Sequence, residues 1–183
     1  MGSGKSTVVA EFQRLGVPAF VADREAARLY DDPSFISLLR RQFGDQVMDQ
    51  RGAVDKRRLA DIVFNDRGAL ARLNAIVHPR VMDLFDRFCH AHADAPCVVF
   101  ESAILYEYGL DKAMDVVVCV YLDLDERLRR LRLRDGIDDS LLLQRIANQD
   151  PADEAIMKAD YVVLNYEGNP RQRQVQYILE HVA

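Results

Sequence analysis

The sequence predicts an α/β fold in which a parallel sheet is covered by helices on both faces. Four short apolar runs, Val17–Ala22, Cys97–Phe100, Val116–Leu122 and Tyr161–Leu164, have the length and unbroken hydrophobicity of buried parallel strands. They alternate with stretches whose apolar residues recur at helical spacing. A third observation is the glycine-containing run Gly2–Thr7, GSGKST, which stands directly ahead of the first helical stretch.

The elements follow in order. Val8, Phe12 and Leu15 predict one face of a helix that Gly16 stops. Val17–Ala22 is the first strand, and it ends at Asp23, which opens a second helical stretch. From Pro33 to about Ala93 the pattern is helical and is broken at Gly44, Gly52 and Pro79, with Pro79 expected to start a new helix. This stretch is too long for a simple crossover and is expected to form an inserted helical lobe, about 33–94, within a single domain whose core is 1–32 and 95–183. Leu124, Leu128 and Leu131 give another apolar helix face, Asp138–Gln149 a short helix, and the residues from Pro170 a last one. A glycine loop of this type lies between a strand and a helix. Here that strand would have to precede Met1, so the first strand of the sheet is missing from the chain as written.

The 183 residues are 49% hydrophobic and 29% charged, an ordinary balance for a soluble globular domain. No run approaches the roughly 18 to 20 apolar residues that span a bilayer, and no basic and apolar leader directs export. The three cysteines, Cys89, Cys97 and Cys119, are odd in number and lack metal-ligand spacing. They read as reduced thiols in a cytoplasmic protein. A net charge of −5 argues against a nucleic-acid partner. The positive charge is nevertheless concentrated, with five arginines among the nine residues Glu126–Arg134. That strip suits a small polyanion, and the expected state is a monomer or small homo-oligomer with no membrane partner.

The run GSGKST keeps the second half of the pattern G-x-x-x-x-G-K-[ST] in Gly4, Lys5 and Ser6, and the chain begins before the first glycine of the pattern could appear. The backbone amides from Gly2 through Ser3 and Gly4 to Thr7 would form an anion cradle at a helix N-terminus. Glycine at positions 2 and 4 permits the tight path and a close approach to phosphate oxygens. Lys5 would reach the β- and γ-phosphates of a nucleoside triphosphate, and the Ser6 hydroxyl would ligate Mg²⁺. No Asn-Lys-x-Asp guanine signature is present, and the chain is short for a motor core. A small-molecule kinase fits its size, its inserted lobe and its arginine strip.

Beyond the loop, further strings follow: Phe43-Gly44, VDKRRLADIVFND (Val54–Asp66), LNAIVHPRV (Leu73–Val81), RDG (Arg134–Gly136), RIANQ (Arg145–Gln149) and ADYVVLN (Ala159–Asn165). On these residues the chain resembles the dephospho-coenzyme A kinase family over nearly its whole length. The resemblance implies a three-layer P-loop kinase with a parallel sheet, an inserted helical lobe for the acceptor and a mobile helical lid at about 134–150. It implies transfer of the ATP γ-phosphate to the ribose 3′-hydroxyl of dephospho-coenzyme A, the last step of coenzyme A synthesis. The alternatives are another small-metabolite P-loop kinase and an N-terminally truncated, inactive member of the family.

The resemblance also implies site residues, each with a structural alternative. Asp23 matches the catalytic carboxylate of the family's Asp-Ala-Asp motif, whose first Asp is Val21 here. It would accept the proton of the attacking hydroxyl and hold Mg²⁺ through water, or else simply cap the next helix. Arg127, Arg130 and Arg134 share one helix face. Arg130, Arg134 and Arg145 are implied to meet ATP, with Arg134 catalytic, whereas Arg127, Arg129 and Arg132 are expected to remain surface charges. His78, Arg80 and Glu107 are implied to shape the acceptor site, and Asn165 to meet the adenine. Glu101 is a lesser acidic candidate near the metal. His90, His92, Asp123 and Asp125 are read as structural. Asp23→Asn is expected to cut turnover sharply while ATP binding stays nearly intact; unchanged turnover in a steady-state assay removes Asp23 from the mechanism.

Overall fold

The computed structural model describes residues 2–135 and 152–182. Arg145, the helix expected over 138–149 and most of the expected lid lie outside these residues, and Arg134 is described in its backbone alone. The chain divides into two compact units, residues 1–19 with 94–183, and residues 20–93. The sequence reading puts 1–32 in the core, but the helix that follows the first strand falls in the second unit.

The first unit is built on helix α1 (Lys5–Arg14), which buries Val8, Val9 and Phe12. Leu15, expected on that face, lies past the last turn and is exposed, and Val9 takes its place in the interior. Strands β2 (Val99–Glu101), β3 (Val118–Tyr121) and β4 (Tyr161–Leu164) belong to this unit, while β1 (Ala19–Val21) stands where the chain passes into the second unit; all four fall within or at the edges of the four apolar runs. β3 and β4 pair in parallel, with Val118 opposite Tyr161 and Tyr121 opposite Leu164. The Val99 N–H donates to the carbonyl of Pro18, just ahead of β1. After β3 come α6 (Leu124–Asp135) and α7 (Ala152–Lys158), and after β4 comes α8 (Arg171–Val182). Val8 and Phe12 meet Val17, Val163, Val175 and Ile178 in the core, with Val99, Val118 and Val120 packed against them. The apolar face of α1 is thus held on the strands that carry the loops.

The second unit is helical: α2 (Ala22–Leu29), α3 (Pro33–Phe43), α4 (Lys56–Asn65) and α5 (Arg67–Ala91). Phe35, Leu39, Val47 and Ala69 are fully buried within it. Phe20 lies against Phe85 and Phe88, ring centroids 5.4 and 5.5 Å apart, an aromatic cluster that anchors the end of α5. Aspartates start three of the helices. Asp32 accepts from Ser34 N–H, Asp55 from Arg57 and Arg58 N–H, and Asp66 from Gly68 N–H.

Two expectations are corrected here. Pro79 does not begin a helix, because α5 runs through it for 25 residues. Ala69 and Leu73 before the proline and Val81 and Phe85 after it are all buried, so both halves are held by packing. The carbonyl of Ala75, which a proline at 79 leaves without its usual donor, belongs to an exposed residue that water can reach. Asp23 does not end a strand, because α2 already begins at Ala22 with Val21 at its N-cap. It therefore lies in the first turn, where a carboxylate complements the helix dipole without capping it. Asp55→Ala is expected to destabilise the protein by about 1 kcal/mol through loss of the α4 cap, with Asp55→Asn close to neutral, as read by urea denaturation.

Candidate active site

The run GSGKST turns into α1 by a path that only glycine follows readily. Gly2 and Gly4 have φ of 81° and 82°, in the left-handed region. Gly4 is the N-cap and, having no side chain, supplies no cap, so the first amides of α1 receive no side-chain acceptor. The Gly4 carbonyl accepts from Thr7 N–H at 3.0 Å and Val8 N–H at 3.3 Å, which closes the first turn. Ser6 and Thr7 are exposed in that turn, and Lys5 is half-buried beside it.

Neighbouring side chains leave no room at these glycines. A methyl group on Gly4 would collide with the amide nitrogen of Asn165, and one on Gly2 would press on Leu131. Asn165 follows β4 and is completely buried. Its Nδ2 donates to the Ser3 carbonyl at 2.7 Å, and its Oδ1 accepts from Arg171 at 3.2 Å. Arg130 on α6 donates through Nη2 to the Asn165 carbonyl at 2.8 Å and through Nε to Glu126 at 2.8 Å. This fork brings the Arg130 guanidinium beside Gly4.

The arginine strip separates by environment. Arg127 is buried, contrary to the expectation of a surface charge, because it lies one turn before Leu131 on the apolar side of α6. Burial draws its guanidinium below its ordinary pKa. Arg129 is exposed and pairs with Glu126 at 2.6 Å. A cavity of about 130 Å³ lies next to the loop, with Ser3, Lys5, Tyr106, Glu107, Cys119 and Arg127 among its walls. Burial pushes the Cys119 thiol up, against the pull of nearby Lys5 and Arg127, so it stays protonated near neutral pH.

The first unit thus brings together Gly2, Ser3, Gly4, Lys5, Ser6, Thr7, Arg130 and Asn165, with Glu107 and Glu101 in the same unit. The second unit carries Asp23, His78 and Arg80. Arg80 donates to the Ser34 hydroxyl at 3.4 Å. His78 is half-buried on α5, and desolvation lowers its pKa from the usual value. The Nδ1 atoms of His90 and of His92, the C-cap of α5, lie 2.7 and 2.8 Å from the carbonyls of Asp86 and Phe88 one turn back. Asp123 starts α6 by accepting from Glu126 N–H and also accepts from the Tyr166 hydroxyl. Sequence reasoning missed Arg171 and Tyr166, since their partners lie across a chain reversal that no periodicity records.

For Mg²⁺, the donor chemistry fits a site completed by substrate. Ser6 offers an exposed hydroxyl oxygen in the first turn of α1. Among the described residues no cluster of three or more His, Cys, Asp or Glu could hold a metal alone. Mg²⁺ bound with nucleotides takes few protein ligands and keeps phosphate oxygens and water.

Left-handed glycines opening a helix on a parallel α/β core define a phosphate-binding protein of the P-loop class. A family model described as dephospho-CoA kinase matches residues 1–170. The dephospho-CoA kinase of Syntrophotalea carbinolica is 38% identical over 169 residues, covering 90% of this chain and 80% of that protein. That of Geobacillus kaustophilus is 37% identical, covering 90% and 84%. Among solved structures, TT1252 from Thermus thermophilus superposes with a TM-score of 0.88 at 32% identity, covering 100% of this chain and 94% of that one. The dephospho-CoA kinase from Campylobacter jejuni, at a TM-score of 0.61 and 19% identity over 100% and 93% of the two chains, shares the fold. The chain belongs to the dephospho-CoA kinase family.

Hydrogen bonds first from Arg129 and then from Arg130 hold the Glu126 carboxyl at a pKa of about 2, below its ordinary 4.5. A lowered carboxylate pKa stabilises the fold fully above pH 4.5 and loses that contribution as pH falls towards 2. An NMR titration of the Glu126 carboxyl carbon is expected to show its midpoint near about 2, returning towards 4.5 when Arg129 and Arg130 are both replaced by Gln.

Proposed function

We propose that this chain transfers the γ-phosphoryl group of ATP to the ribose 3′-hydroxyl of dephospho-coenzyme A, giving coenzyme A and ADP in the cytoplasm. The observation that carries phosphoryl transfer is the uncapped start of α1 behind Gly2 and Gly4, with Lys5 and Arg130 beside it. Family membership over residues 1–170 supports the acceptor. That match includes the LNAIVHPRV string, which a phosphate loop by itself does not require.

In this reading the amides of Gly2–Thr7 and the Lys5 ammonium hold the β- and γ-phosphates. Ser6 would ligate Mg²⁺ directly and Asp23 through water; the ion, when bound, neutralises charge on the phosphates. Asp23 orients the 3′-hydroxyl and takes its proton as the oxygen attacks the γ-phosphorus and the bond to the ADP oxygen breaks. Arg130, Arg134 and Arg145 neutralise charge on the equatorial oxygens. Asn165 belongs to the ATP side of the site. His78, Arg80 and Glu107 position the acceptor. The lid expected from the resemblance at about 134–150 would exclude water, so that ATP is not wasted on hydrolysis.

The test couples ADP release to added acceptor. Dephospho-coenzyme A is expected to drive ADP release far above the rate with ATP alone, with phosphorus NMR showing a new ribose 3′-phosphomonoester. Turnover driven by gluconate or shikimate but not by dephospho-coenzyme A would assign a different acceptor.

A further inference from the structure

The phosphate loop is held from beneath by one side chain whose own polar atoms are all occupied. Asn165 has no exposed surface. Its N–H donates to the Tyr121 carbonyl at 3.0 Å, and its carbonyl accepts from Arg130 at 2.8 Å. Its amide nitrogen donates to the Ser3 carbonyl at 2.7 Å while Arg171 donates to its amide oxygen at 3.2 Å. Arg171 can only donate and the Ser3 carbonyl can only accept, so these two partners fix which end of the amide faces which. The strand end behind Asn165 is pinned as well. Gln174 accepts from Leu164 N–H at 2.9 Å, and Asn169 donates to the Leu164 carbonyl at 3.1 Å.

The Ser3 carbonyl is the point at which this matters for phosphate. In a planar trans peptide, the C=O of one residue and the N–H of the next point in opposite directions. A hydrogen bond that draws the Ser3 carbonyl towards Asn165 therefore turns the Gly4 N–H away from it. We infer that Asn165 is a positioning residue of the phosphate site: by holding the Ser3 carbonyl it sets the peptide plane that presents the Gly4 N–H to bound phosphate. The same close approach requires glycine at position 4, where any Cβ would meet the Asn165 amide. Asn165 has no exposed surface for a nucleobase to reach and both ends of its amide have protein partners, so its contribution to ATP binding comes through the loop.

The inference rests on the phosphate-loop reading, and the test separates the two. Inorganic tripolyphosphate carries the phosphates without the base, and adenosine carries the base without phosphates. Calorimetric titration of each into the full chain with Mg²⁺ compares the unsubstituted protein with Asn165→Leu and Asn165→Ser. Both variants are neutral; leucine removes the donor outright, and the shorter serine withdraws its hydroxyl from the Ser3 carbonyl and leaves room for water should leucine prevent folding. Tripolyphosphate affinity is expected to fall roughly tenfold, with adenosine affinity unchanged and each variant still melting cooperatively. Unaltered tripolyphosphate binding in a folded variant, or a loss confined to adenosine, would overturn the inference. Failure of the unsubstituted chain to bind tripolyphosphate would overturn it together with the phosphate-loop reading. Tripolyphosphate binding that responds to Asn165 in a chain that does not phosphorylate dephospho-coenzyme A would support the inference and remove only the acceptor assignment.

Discussion

A helix that begins on glycine has no side chain to cap its first amides, and the arrangement of the first unit follows from that constraint at α1. Gly4 supplies a left-handed turn and no cap, so the partial positive charge of the helix start faces the loop. A side chain at Gly4 would displace Asn165, and Asn165 in turn links the loop to β3, α6 and α8. Beneath it, Val8 and Phe12 fasten α1 to Val163, Val175 and Ile178. The polar cradle and the apolar core are therefore two ends of one short helix, and neither can shift without the other.

The charges around this helix act through their surroundings more than their number. Arg127, Arg129 and Arg130 stand within four residues of one another and have three different environments. Arg129 is exposed and shares Glu126 with Arg130, a pairing that contributes modestly to stability in water. Arg130 is drawn in by the Asn165 carbonyl and comes to lie beside the loop. Arg127 is buried in the wall of the cavity that Lys5 also lines, where desolvation strengthens its electrostatic reach.

Much of this was legible in the sequence because it depends on local chemistry. The glycine positions and the four apolar runs act within a few residues, and each appears close to where its pattern places it. Family membership was legible too, because LNAIVHPRV, RDG and RIANQ are contiguous strings. The misreadings have a common origin. Arg127 was assigned to the surface by charge, and Pro79 was made a helix start by its missing N–H. In both cases packing against residues distant in sequence overrode a sound local preference.

By itself the sequence determined that an α/β chain would carry a phosphate loop at its first helix, and it determined the family, since both are written in adjacent residues. Only the tertiary structure decided that Asn165 would close on the Ser3 carbonyl 162 positions away, that Arg171 would orient its amide, and that Arg127 would be buried while Arg129 stayed in water. Hydrogen bonds of such sequence separation form only when the core brings the end of a strand and the start of a helix together. No residue pattern along the chain encodes which partner a buried amide will meet.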